Sequence, residues 1–125
     1  MVQAVYFKAG LTGKLQFMNN AVAIFEAEVN MEVISSNVAR ALSPSISANG
    51  NNVYAVWNDD TFGNPEIFFT RSIDSGSTFN LPININNDTG VSDLVQISSG
   101  NGGSFYLVWQ DNIAGNGMIY LTKTD

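Results

Sequence analysis

The sequence predicts an all-β fold of short antiparallel strands, grouped in units of about 50 residues. Three observations carry that expectation. Short runs of alternating apolar and polar residues are separated by Gly- and Asn-rich turns. The stretch "VYAVWNDDTFGNPEIFFTRS" from Val53 aligns without a gap on "FYLVWQDNIAGNGMIYLTKT" from Phe105, 52 positions later. No apolar run approaches the roughly 18 residues that a membrane-spanning helix needs.

Within the aligned stretches Tyr54/Tyr106, Val56/Val108, Trp57/Trp109, Asp59/Asp111, Gly63/Gly115, Asn64/Asn116, Ile67/Ile119 and Thr70/Thr122 match. Upstream, "PSISANGN" from Pro44 resembles "VQISSGNG" from Val95, 51 positions on, so one extra residue lies in the second turn. In the first unit, a strand over about 45–48 is closed by "NGNN". A second strand over 53–58 sets Val53, Ala55 and Trp57 on one face and Tyr54 and Val56 on the other, a pattern that fits burial between two layers. The third covers 66–72. A fourth, over about 79–86, alternates Leu81, Ile83 and Ile85 with Asn80, Asn84 and Asn86, as a half-exposed outer strand does, and Pro82 suits an edge position. The second unit ends at Asp125 after its third strand.

The N-terminal part is less regular. "MEVISSNVARALSPSIS" from Met31 lies on "PININNDTGVSDLVQIS" from Pro82 at a spacing of 51, which makes about 29–35 a fourth strand leading into the first complete unit. Phe25–Val33 alternates cleanly, while Val22, Phe25, Val29 and Val33 also fall near helical spacing over 21–42; the alternation favours a strand. "AVYF" and "LQFM" read as two further strands. The division is therefore 1–41 for N-terminal strands, 42–92 for a complete unit and 93–125 for a unit lacking its fourth strand.

Composition excludes more than it identifies. Of 125 residues 45% are hydrophobic and 13% charged, with five basic residues and a net charge of −6. No basic footprint for nucleic acid exists, and anionic membrane surfaces are disfavoured. The chain has no cysteine and no histidine, so disulfides, thiol catalysis, Cys/His zinc sites and imidazole chemistry drop out together. The N-terminus lacks the basic start and apolar core of a signal peptide. An acidic, Asn/Ser/Thr-rich, lysine-poor composition suits an extracellular or cell-surface protein.

Between the third and fourth strands stands "SIDSGSTF". Ser72, Asp74, Gly76, Thr78 and Phe79 fit the pattern S-x-D-x-G-x-T-(W/F), and the chain therefore resembles the Asp-box, or bacterial-neuraminidase-repeat, family of sialidase-like β-propellers. Four antiparallel strands in about 50 residues is the size of a propeller blade. The resemblance covers residues 29–125 and implies a turn at the outer rim, away from any ligand at the ring centre. The residue types suit such a turn without a ligand: Asp and Ser accept from nearby backbone N–H groups, Gly76 takes positive φ, and Phe79 buries its ring.

A sialidase, the resemblance implies, uses three arginines, a Tyr/Glu nucleophilic pair and an Asp acid/base. Only Arg40 and Arg71 are present, neither in a recognisable catalytic motif. Tyr54, Tyr106 and Tyr120 read as core, and Glu26, Glu28 and Glu32 as a solvated strand face. The expectation is a non-catalytic module; the alternative is a fragment of a sialidase-like glycoside hydrolase. Asp59, Asp60 and Asp111 carry hard oxygen ligands suited to Ca²⁺, although Asp and Asn are also ordinary turn residues. Asn87-Asp88-Thr89 is a glycosylation sequon in form. Glycans are the ligand class that the resemblance suggests.

Two such units cannot close a ring, and a three-stranded last unit leaves an apolar face and an edge open. Copies can join head to tail, the N-terminal segment can complete another copy's last sheet by β-augmentation, or the chain is part of a longer propeller. The first two make the chain its own partner, a homo-oligomer built by blade or strand exchange.

Overall fold

The computed structural model describes residues 2–9, 12–19, 22–30, 32–35 and 39–124, with side chains for 32–35 and 39–124. The chain forms two compact units, Met1–Val33 and Ile34–Asp125. Among the described residues all regular structure is β except one 3₁₀ turn at Asn101–Gly103, and every strand pair is antiparallel.

The first unit is a meander of β1 (Val2–Ala9), β2 (Thr12–Asn19) and β3 (Val22–Asn30), in that spatial order. "AVYF" and "LQFM" lie in β1 and β2, as the sequence predicts. Residues 22–30 are strand, so the helical alternative is excluded. The fourth strand expected over 29–35 is a correction: β3 ends at Asn30, and 32–35 carry no strand. Ile34 and Ser35 instead line an apolar cavity with Leu42, Pro44 and Trp57.

The second unit holds two sheets. The four-stranded one runs β4 (Ala41–Asn49), β5 (Asn52–Asp59), β6 (Glu66–Ser72) and β7 (Ile83–Asn84); the three-stranded one runs β8 (Ser92–Ser99), β9 (Phe105–Asp111) and β10 (Met118–Thr124). Their first strands lie against each other, and the inward side chains Tyr54, Val56, Ile67, Phe69, Val95, Phe105, Leu107 and Trp109 form one buried cluster. Phe69 stacks on Phe105 with ring centroids 4.6 Å apart, and Tyr54 tilts against the same ring at 5.1 Å. Both faces of β5 are buried, as its apolar content on both sides predicts.

The two sheets share local irregularities as well as strands. The β4–β5 and β8–β9 ladders slip between Leu42/Ser45 and between Asp93/Gln96. Ser43 (φ 50°) and Leu94 (φ 55°), 51 positions apart, take the left-handed backbone at these bulges. The β4–β5 hairpin turns through Gly50, whose φ of 59° meets the demand that a two-residue loop makes at its first central position.

The outer strand departs from expectation. The ladder on β6 is regular only at Phe68↔Asn84 and Phe69↔Ile83. Beyond it, single bonds hold the chain: Asn80 N donates to Arg71 O at 3.0 Å and Ile85 N to Ile67 O at 2.8 Å. Pro82 removes one donor, and Asn86 Oδ1 takes the Ile67 N–H at 2.8 Å in place of a backbone carbonyl. Leu81 and Ile83 are consequently exposed, and only Ile85 packs on the core. The three-stranded sheet has no counterpart of β7 among the described residues.

Candidate functional site

The Ser72–Phe79 segment leaves β6 and is organised around two side chains. Ser72 is buried at the end of the strand. Its hydroxyl donates to Asp74 Oδ1 at 2.7 Å and accepts the N–H groups of Gly76 (2.9 Å) and Asp74 (3.3 Å). Asp74 Oδ1 also accepts Thr78 N at 2.8 Å, and Oδ2 accepts the Thr78 hydroxyl at 2.6 Å. The Asp74 carbonyl receives Ser77 N and Oγ at 3.3 and 3.0 Å. These donors, the Thr78 hydroxyl first and then the Ser72 hydroxyl and Thr78 N–H, hold the Asp74 carboxyl down at about 2. Gly76 sits at φ 87°, where a Cβ would be strained. Ser75, at φ 61°, anchors the turn to the β4–β5 hairpin by donating its N–H to Asn51 O at 2.9 Å. Phe79 is half-buried rather than sealed in the core. Both Asp74 oxygens are thus occupied by donors of the turn, and what the arrangement does is hold that turn.

The three carboxylates that suit a cation are each engaged by different partners. Asp59 Oδ1 accepts Thr61 N at 2.8 Å and the Thr61 hydroxyl, and Asp111 Oδ1 accepts Ile113 N at 2.8 Å. Each is an Asx turn that opens the loop after the second strand, in chain order, of its sheet. The loops then turn alike, with Gly63 N donating to Asp60 O at 3.0 Å and Gly115 N to Asn112 O at 2.7 Å. Asp60 holds Arg40 instead, accepting its N–H at 2.8 Å and pairing with Nε at 3.6 Å. Among the described residues no group of three or more His, Cys, Asp or Glu has a metal-binding arrangement.

The arginines and tyrosines are also dispersed. Arg71 donates to Asn52 Oδ1 at 2.6 Å and lies 5.7 Å from the centre of the Tyr54 ring, while Arg40 is on the surface with Asp60. Tyr54 is buried and donates to Gly103 O at 2.8 Å, and Tyr120 stacks on Trp109. Tyr106, expected in the core, is exposed, on the face of β9 turned away from the buried cluster. Glu32 is exposed, and the side chains of Glu26 and Glu28 lie outside the described residues.

Sequence reasoning missed a polar seam where β6 meets the start of β8. Asp111 Oδ2 accepts the Ser92 hydroxyl at 2.6 Å and Asn86 Nδ2 at 3.3 Å, and Asn86 also donates to Ser92 Oγ at 2.6 Å and Asp88 Oδ2 at 3.1 Å. Glu66, buried beside it, accepts Asn64 Nδ2 at 2.7 Å and Asp88 N at 3.3 Å. Burial raises the Glu66 carboxyl above its ordinary range, more than those two donors lower it, and the Asp88 and Asp111 charges push the same way. Ser92 thereby takes Asp111 Oδ2, and the Trp109 indole N–H has no partner among the described residues, whereas Trp57 Nε1 donates to Asp59 Oδ2 at 3.4 Å. Asp88 and Ser92 stand in a Ser/Asn/Asp-rich stretch, so composition alone gives no signal that Ser92 is buried and Asp88 half-buried.

Comparison with protein-family models gives no match, and comparison with curated proteins gives none either.

Proposed function

We propose that this chain is a non-catalytic Asp-box module of β-propeller type that self-assembles and acts as a structural or binding element outside the cell. One observation carries the reading. Ser72, Asp74, Gly76 and Thr78 engage one another within a turn that joins the third and fourth strands of a four-stranded antiparallel sheet. That is the role the motif's resemblance implies, and it consumes the one carboxylate of the motif. The shared bulges at Ser43 and Leu94, and the shared Asx turns at Asp59 and Asp111, support two blades of one design. Arg40 and Arg71, engaged with Asp60 and Asn52, offer no cluster for a carboxylate substrate. Glycans are the ligand class to test first, on the resemblance alone.

The test is a fluorogenic sialoside assay on the wild-type chain and on Arg71→Ala. The proposal predicts no turnover above buffer with either protein. Turnover by the wild type that Arg71→Ala abolishes would overturn the non-catalytic reading.

A further inference from the structure

Three asparagines in four positions end the outer edge of the four-stranded sheet, and the fold uses them differently. Asn84 Oδ1 accepts Asn87 N at 3.1 Å. Asn86 is committed to the interior: Oδ1 accepts Ile67 N at 2.8 Å, and Nδ2 donates to Asp88, Ser92 and Asp111. Asn87 is exposed, and its side-chain amide has no hydrogen bond to any described residue. Its backbone sits at φ 44°, a left-handed conformation that asparagine adopts more readily than most residues with a Cβ.

Asn87-Asp88-Thr89 is the one Asn-x-Ser/Thr triplet in the chain, and neither Asp88 nor Gly90 is a proline. Asp88 has both carboxylate oxygens engaged, Oδ1 accepting Gly90 N at 2.6 Å and Oδ2 accepting Asn86 Nδ2 at 3.1 Å. Thr89 is exposed, and its hydroxyl has no partner among the described residues. The two groups that define the triplet, the amide and the hydroxyl two residues on, are thus both open to an enzyme, while the carboxylate between them is held by the fold. A bulky group on Asn87 displaces no bond that its side chain makes.

We infer that Asn87 is an acceptor for N-linked glycosylation. The donor class is a glycan carried on a lipid pyrophosphate, with a host transferase as catalyst. Asn87 Nδ2 forms a bond to the anomeric carbon of the glycan and gives up one proton. The bond from that carbon to the pyrophosphate oxygen breaks, and the lipid pyrophosphate leaves with the electron pair. The attachment point follows β7, where Leu81 and Ile83 are 90% and 56% exposed along the sheet's open edge. A hydrated glycan at the end of that edge hinders the edge-to-edge pairing that such strands invite.

This inference rests on the extracellular part of the reading above. Its test is expression of the full chain behind a secretion leader in a eukaryotic host, beside Thr89→Ala and Thr89→Ser. The secreted wild type is expected to carry added mass that an N-glycan-releasing amidase removes, leaving an aspartate in place of the asparagine in the tryptic peptide Ser72–Lys123. Thr89→Ala should lose the added mass, and Thr89→Ser should keep it. Glycosylated and released forms should unfold at the same temperature by circular dichroism. A secreted wild type without added mass overturns the acceptor, as does added mass that Thr89→Ala retains. A glycosylated form that melts well below the released one overturns it too, because the position would then not be open in the fold. The leader supplies the export, so each of these failures leaves the extracellular reading standing.

Discussion

The Ser47 hydroxyl donates to Ser99 Oγ at 2.9 Å and accepts Ser99 N at 2.9 Å, joining the first strands of the two sheets. Ser45 Oγ accepts Ile97 N at 3.4 Å and Asn49 Nδ2 donates to Gly100 O at 2.7 Å along the same line. Side chains of β4 thus cap groups of β8 where no backbone ladder forms. Ser47→Ala leaves the Ser99 N–H without its acceptor, and a loss of about 1–2 kcal/mol is expected. A urea titration followed by tryptophan fluorescence measures it.

Asp74 gives a pH dependence with a definite sign. Its carboxyl sits at about 2 in the folded chain against an ordinary 3.8, because Thr78 and Ser72 donate to the ionised form. A group whose folded value is lowered stabilises the fold above the unfolded value, and that contribution fades as pH falls from about 4 towards 2. Asp74→Asn should therefore lower the urea midpoint at pH 6, with the gap to wild type narrowing steadily below pH 4. A gap that stayed constant down to pH 2 would show that the carboxylate's charge plays no part in the turn.

Glu66 carries the opposite sign. Its folded value is raised by burial, so the protonated form is favoured in the fold and its contribution is lost as pH climbs through the range just above 4.5. Wild-type stability should show a downward component over that window that Glu66→Gln removes. Paired urea titrations at half-unit pH steps resolve it.

Leu94 predicts a gain. It is exposed, with φ 55°, at the bulge of the β8–β9 ladder. A left-handed backbone costs a residue bearing a Cβ roughly 1–2 kcal/mol. Leu94→Gly should therefore raise stability by up to about 1 kcal/mol, after the unfolded chain's added freedom is subtracted. Thermal unfolding by circular dichroism reads the shift.

Gly90 predicts a loss. A Cβ built there would overlap Asp111 Oδ1 and come within 2.9 Å of the Ile113 backbone nitrogen. Gly90→Ala must displace the Asx turn after β9 and is expected to cost about 1–3 kcal/mol, whereas Gly102→Ala, with nothing within 4 Å, meets only the strain of its φ of 68°. Comparing the two in one denaturation series separates overlap from backbone strain.

The strands whose apolar residues are fixed by packing on both sides were legible: β5 and β6 appear where alternation and matching residues place them, within a residue or so. The Ser72–Thr78 turn was legible because its bonds are local, at separations of two to four residues. Two features were not. The outer strand shrank to Ile83–Asn84 because Asn side chains compete with backbone carbonyls for its partners, a contest that alternation does not register. The Asp111–Ser92–Asn86 seam joins residues up to 25 positions apart and is decided by how the two sheets meet. Tyr106 shows the same limit from the other side: its sequence environment matches that of buried Tyr54, and which of the two the cluster buries is decided by how the sheets pack.

The most direct test of the account is the solution mass of the wild-type chain by light scattering on a size-exclusion column at two concentrations. The account predicts one discrete species at a small multiple of the chain mass, the same at both concentrations. A monomer at both concentrations, or growth without a limit, would contradict it.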